Sequence, residues 1–193
     1  MDTLTQYSEG RPDVYPLSPD EIRHYLRIDT RDDDQLLLAL QSTAVAHVED
    51  QLGRAVVARD VELLIDRLPV GTNPITLPVQ PVTSVTDIDR IEAAGWVSID
   101  SDTYEIVRSG ALSAVRPVAG ARWPETQASP RSVRVRYRAG AEDPLDVPEP
   151  IKLAILLLIG HWYEHREASS GTQLHNLPLG VDALIAPYRV ARV

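Results

Sequence analysis

Ile151-Lys152-Leu153-Ala154-Ile155-Leu156-Leu157-Leu158-Ile159 is the longest apolar run in the chain, and Lys152 alone interrupts it. It falls well short of the roughly 20 residues needed to cross a bilayer. Pro148-Glu149-Pro150 in front of it supplies a helix start, and the apolar side chains then fall all round a 3.6-residue period. Such a helix is buried on more than one side, in a core or partly by a neighbouring subunit. With 193 residues the chain can build a core without staples, since a domain of this size buries about 70% of its unfolded surface. It has no cysteine, which removes disulfides, thiolate metal sites and thiol nucleophiles together.

Residues 1–16 are polar, with Pro12 and Pro16 and no periodicity, and read as an extended arm. Met1 to Gly10 has no basic start and no apolar stretch, so no signal peptide and a soluble cytoplasmic chain are expected. Ser18-Pro19-Asp20-Glu21 places a cap, a proline in the first turn and a Glu three residues after the cap, which predicts a helix near 18–27. Asp32 to Asp34 supply a cap and first-turn acids for a second helix near 33–52, in which Leu37, Leu40, Ala44, Val48 and Leu52 share a face until Gly53 ends it.

From Ala55 to about Ala139 the pattern changes to short alternating segments. Val61, Leu63 and Ile65, then Trp96 to Ile99, Tyr104 to Val107, and Val133, Val135 and Tyr137 read as strands. Pro69, Pro74, Pro78 and Pro81 make the early part edge-like or looped, because proline cannot donate to a central ladder. The long apolar helix is expected near 149–167, followed by a loop over 168–177 and a short helix near 181–186. These elements predict an α+β chain with a mainly helical body and an inserted small antiparallel β region over about 56–139. The whole, residues 1–193, reads as one domain: an arm (1–16), a helical part (17–55), the insertion (56–139), a core helix (148–167) and a C-terminal segment (178–193).

Charge narrows the function classes. Residues 1–55 carry 11 acids against 5 bases, residues 56–147 carry 13 against 10, and residues 148–193 carry 4 of each, so the net −9 divides as −6, −3 and 0. A free-standing nucleic-acid binder would need the opposite sign, because affinity there comes largely from neutralised phosphates. The 3 Trp and 7 Tyr with no Phe suit half-wet surfaces. Lys152 is the only lysine among the 19 basic residues, and arginine's planar fork suits fixed ion pairs and interfaces.

The sharpest catalytic-looking string is His161-x-x-Glu164-His165. Two histidines four apart share a helical face and could ligate a metal, with Glu164 beside them as general base of a hydrolase. Such a site needs a further ligand, and the acids after His165 are Glu167 and Asp182. The same string also reads as a helix end facing solvent or a partner. His24, His47 and His175 have no acid-base partner visible in the sequence. Asp100-Ser101-Asp102 opens like a calcium loop but lacks the glycine and closing glutamate. Arg134, Arg136 and Arg138 share one face of a strand, with Arg131 just before, and read as a solvated face or a subunit contact. Trp162 and Tyr163 at the polar end of the long helix are further subunit-contact candidates.

A resemblance joins these pieces. Leu17-Ser18-Pro19-Asp20-Glu21, Leu26-Arg27-Ile28-Asp29, Ala46-His47-Val48-Glu49 and Gly53-Arg54-Ala55 resemble the N-terminal helices of the head-to-tail connector (adaptor) proteins of tailed phages and gene transfer agents. Leu68-Pro69, Trp123-Pro124, Tyr137-Arg138-Ala139-Gly140, Val147-Pro148, Ile151 to Leu157, His161-Trp162-Tyr163-Glu164, Leu177-Pro178-Leu179-Gly180-Val181 and Leu184 to Arg189 continue it in order. The family often has Asn where this chain has His165, which sets the zinc-like string aside. The resemblance implies a non-enzymatic virion protein with no cofactor, metal or membrane partner. It implies a dodecameric ring beneath the portal protein that joins the head to a stopper or tail-terminator protein and continues the DNA channel, assembled in the host cytoplasm. It also implies that residues 178–193 dock on the portal, with Leu184, Ile185, Pro187, Tyr188, Arg189 and Arg192 as contact candidates. A metal-dependent hydrolase and a DNA-binding packaging accessory protein are the alternatives.

Overall fold

Ser18 starts the first helix as its neighbours require. Its hydroxyl accepts from the Glu21 N–H at 3.2 Å while the Glu21 carboxylate accepts from the Ser18 N–H at 2.7 Å, a closed capping box. The computed structural model describes residues 5–10, 12, 14–110, 112–126, 129–165 and 179–189. It divides into two compact units: Val14–Val57 with Ala141–Val193, and Met1–Asp13 with Ala58–Gly140.

The first is helical. Its elements are α1 (Pro19–Leu26), α2 (Asp34–Leu52), α3 (Glu149–Glu164) and α4 (Leu179–Ile185). The expected stripe on α2 is its buried face, with Leu37, Ala44, Val48 and Leu52 in the core and Leu40 packed against it. Gly53 ends α2 at φ +67°, a left-handed conformation glycine adopts without strain, and its N–H donates to the Glu49 carbonyl at 2.8 Å. Ile151, Ala154, Ile155, Leu158 and Ile159 of α3 meet that stripe, together with Ile22, Val181 and Ile185. α1 packs on α3 at Gly160, where a Cβ would stand in ordinary contact, 3.4 Å from Leu26 and 3.5 Å from Tyr25. Gln41, fully buried, donates to the Leu17 carbonyl at 2.7 Å and ties α2 to the entry of α1.

The second unit is built of β-strands, with a short 3-10 turn at Ser101–Thr103. Its strands are β1 (Thr5–Glu9), β2 (Arg59–Ile65), β3 (Ile75–Thr76), β4 (Val82–Glu92), β5 (Gly95–Ser98), β6 (Tyr104–Ser109), β7 (Leu112–Pro117) and β8 (Val133–Ala139). They form a five-stranded sheet in the order β1-β2-β8-β4-β5 and a three-stranded sheet in the order β3-β7-β6, every neighbour antiparallel. β8 is the central ladder of the larger sheet, and its burial alternates: Val133, Val135, Tyr137 and Ala139 are buried, and the arginines between them point the other way. Tyr137 reaches across to β3's flank, where its hydroxyl accepts from the Val79 N–H at 3.1 Å. Burial holds that phenol well above its ordinary pKa.

The expectation of a mainly helical body with a small β insertion is wrong. Among the described residues 35% are helical and 29% lie in strands of two multi-stranded sheets, a balanced α/β composition. Four strands are hidden in the sequence for physical reasons, among them the two-residue β3 between Pro74 and Pro78. β1 lies within the segment expected to be an arm, and is short, polar and edge-placed. β4 is the longest strand, but register shifts between Val82 and Ser84 and between Val85 and Asp87 break its period-2 pattern. β7 is short and exposes Leu112 at its start. Of the expected helix at 149–167, residues 166 and 167 lie outside the described residues, as do the loop at 168–177 and His175.

Candidate functional site

Two surfaces and one string carry the functional expectations, and each has a definite environment. The arginine face of β8 is internally matched. Arg134 donates to Asp89 on β4 at 2.6 Å and its guanidinium lies 4.7 Å from the centre of the Trp96 ring. Arg136 pairs with Asp87 at 2.7 Å and Arg138 with Asp60 on β2 at 3.0 Å. The Asp87 hydrogen bond raises the Arg136 pKa, ahead of the opposing effect of desolvation. Register explains the match: Glu62 and Asp87 flank Arg136 on the two neighbouring strands, and Asp89 stands opposite Arg134. The stripe is therefore one row of a charged sheet face whose acids are supplied by the same unit.

The helical unit has the opposite character at its surface. α1, the start of α3 and α4 enclose an open groove of about 750 Å³, floored by Leu17, Leu153, Leu156 and Leu184 with Tyr25 and Pro150. Leu153 and Tyr25 are 41% and 40% exposed. Asp20, Glu21 and Glu149 stand at its rim with His24 and Lys152. The apolar-all-round pattern of α3 points to this place, because a side that its own unit does not cover has to show as exposed leucine. The particular lining is not visible in the sequence, since Tyr25 and Leu17 come from segments far away along the chain.

The C-terminal candidates split. Ile185 is fully buried and belongs to the core. Leu184 lines the groove, Tyr188 packs partly on the core, and Pro187 is exposed. Arg189 donates to Asp182 at 2.8 Å and to the side-chain oxygen of Gln51 at 3.1 Å, so it pins the segment to α2. Arg192 lies outside the described residues. At the far end of α3, Tyr163 donates to Asp33 at 2.5 Å, and Trp162 meets His47 edge-on with ring centres 6.3 Å apart. Both therefore have contacts within the helical unit.

The His161-x-x-Glu164-His165 string ends α3. The two imidazoles lie tilted at 36° with centres 4.6 Å apart, and His165 Nδ1 is 2.8 Å from the His161 carbonyl oxygen, an interaction with the helix's own last turn. Among the described residues no three His, Asp or Glu side chains gather as a metal site would require. Among those residues, too, no helix is long and apolar enough to cross a membrane.

Comparison with solved structures shows where such a two-unit fold occurs. A chain in the virion of a native gene transfer agent (GTA) particle matches with a TM-score of 0.76 and 27% identity, over 97% of this chain and 96% of that one. A chain in the neck of an empty GTA particle, computed with C6 symmetry, matches with a TM-score of 0.75 and 26% identity, over 97% of both. A chain in the neck of a native GTA particle, computed with C12 symmetry, matches with a TM-score of 0.72 and 25% identity, again over 97% of both. No curated protein matches the sequence. These likenesses define a structural virion protein of the head–tail connector. Residues 17–190 match the head completion protein family, and the chain belongs to it.

Proposed function

We propose that the chain forms a twelve-subunit ring seated between the portal protein and a stopper or tail-terminator protein, with the DNA channel running through it. The observation that carries this reading is the end-to-end likeness to a chain of a GTA neck computed with C12 symmetry. The two units act together as one connector domain, assembled in the host cytoplasm before it joins the particle. Leu184, Pro187, Tyr188, Arg189 and Arg192 face the portal, with Ile185 holding that segment on its core. Arg134, Arg136, Arg138, Trp162 and Tyr163 border neighbouring subunits. A net charge of −9 repels the phosphate backbone, so DNA slides past without being held.

The portal-facing assignment has a direct test. Deleting 184–193 would remove Ile185 from the core, so the informative variants are Pro187→Asp alone and Pro187→Asp combined with Arg192→Glu. Both should keep the wild-type thermal transition and lose portal binding in sedimentation with purified portal protein. Unchanged binding by both would refute the assignment.

A further inference from the structure

The groove on the helical unit has a matching knob on the β unit. The chain turns at Leu68-Pro69-Val70-Gly71, where Leu68 is buried and Gly71 takes φ +71°. Val70 at the tip is 80% exposed. The turn is fixed from behind: the Trp123 N–H donates to the Gly71 carbonyl at 3.0 Å, and the Trp123 indole N–H to the Asn73 carbonyl at 2.8 Å. Burying an apolar tip held this firmly requires little further ordering, which favours association.

Charge surrounds the tip. Arg67 lies three residues away, Arg122 precedes Trp123, and the Arg131 N–H donates to the Asp66 carboxylate at 3.0 Å. All three arginines are exposed, and none of their guanidinium groups bonds an acid among the described residues. Against Asp66 and Glu125 they leave this end of the β unit at +1. The groove rim, with Asp20, Glu21 and Glu149 against Lys152 and the Arg23 that pairs with Asp20, stands at −1, and Glu149 pairs with Lys152 at 3.1 Å. The other strongly exposed aliphatic side chain, Leu145, sits beside Glu142, Asp143 and Asp146 and would bring acid to acid.

We propose that the Val70 knob of one copy of this chain seats in the Leu153 groove of the next. The contact joins two different surfaces, the head-to-tail geometry that propagates round a closed ring. It buries Val70 against Leu153, Leu156 and Leu184 and adds Arg67 and Arg122 to the exposed Glu149–Lys152 and Asp20–Arg23 pairs. The inference rests on the proposed ring.

The absence of cysteine makes the test clean. The full chain carrying Val70→Cys and Leu153→Cys is assembled on purified portal protein, treated with a short bis-maleimide and run on a denaturing gel, with both single variants alongside. Both positions are exposed, so the substitutions leave the core untouched. The double variant should give a ladder of covalent multimers, and the single variants none beyond dimer. Particles are imaged in parallel. A visible ring without the ladder overturns the knob-and-groove contact and leaves the connector reading standing, whereas no ring from wild-type chain removes both. Leu153→Glu supplies a second reading: it should abolish ring closure. A ring that still closes while portal binding is lost would assign the groove to the portal and overturn the contact between copies.

Discussion

The two units hold themselves together by different means. In the helical unit α2 and α3 share one apolar core, and polar contacts fasten its elements: the Ser18–Glu21 box, Gln41 to Leu17, and Arg189 to Gln51 and Asp182. In the β unit alternate positions of β8 are buried, while the opposite face is a lattice of Arg134, Arg136 and Arg138 with Asp89, Asp87 and Asp60. The difference bears on assembly. A charged face whose partners lie in its own unit can border a neighbour and orient it but adds little adhesion, because exposed pairs contribute little and are already made. An apolar groove left open on an otherwise buried helix has more to gain from one. Adhesion should therefore be sought on the helical unit even though the arginine stripe is the more conspicuous sequence feature.

That contrast orders the expected effects of substitution. Leu158→Ala removes a fully buried side chain of α3 and should lower stability by about 2–5 kcal/mol, measured by urea denaturation followed by circular dichroism. An effect under ~1 kcal/mol would show that the apolar core is not what holds the helical unit. Ser18→Ala opens the capping box and should cost about 1 kcal/mol. It has a pH signature as well. The Ser18 hydroxyl, followed by its backbone N–H, holds the Glu21 carboxyl below its ordinary pKa. A depressed folded pKa stabilises above the unfolded value, about 4.3, and that stability is lost as pH falls through the folded value. The gap between wild type and Ser18→Ala should accordingly narrow on acidification below about pH 4, and a gap that widens there would contradict the box. Arg136→Ala should change stability by less than about 1 kcal/mol, with less effect still at high salt. A loss of several times that would mean that the sheet face contributes to stability on the scale of the apolar core, and would erase the contrast between the units.

The same contrast explains what is legible in the sequence. Helix periodicity is local, so Ser18, Gly53 and the run from Ile151 to Ile159 announce their elements within a few residues. The strands at Arg59–Ile65 and Val133–Ala139 alternate cleanly and are equally plain. β4 is not, because two register shifts take Ser84 and Asp87 out of alternation, and its polar residues acquire meaning only beside Arg136 and Arg138 on β8, some 50 residues on. β1 has few side chains that demand burial, and its place at the sheet edge follows from pairing with β2. The surfaces are unevenly legible for a related reason. Composition and a family likeness indicate a protein completed by others, but no single segment contains the groove, whose walls come from residues 17–25, 149–156 and 184. Of the C-terminal candidates, Ile185 differs in kind from a contact residue, since a seven-residue helix has to turn some of its few apolar residues inward.

The central claim is that this chain is a ring-forming connector of the virion neck. Electron microscopy of purified chain mixed with purified portal protein, followed by class averages taken along the channel axis, addresses it most directly. A closed ring of twelve subunits stacked coaxially on the portal is the expected result. Free portal and free chain, at concentrations well above those needed for stable interfaces, would contradict it.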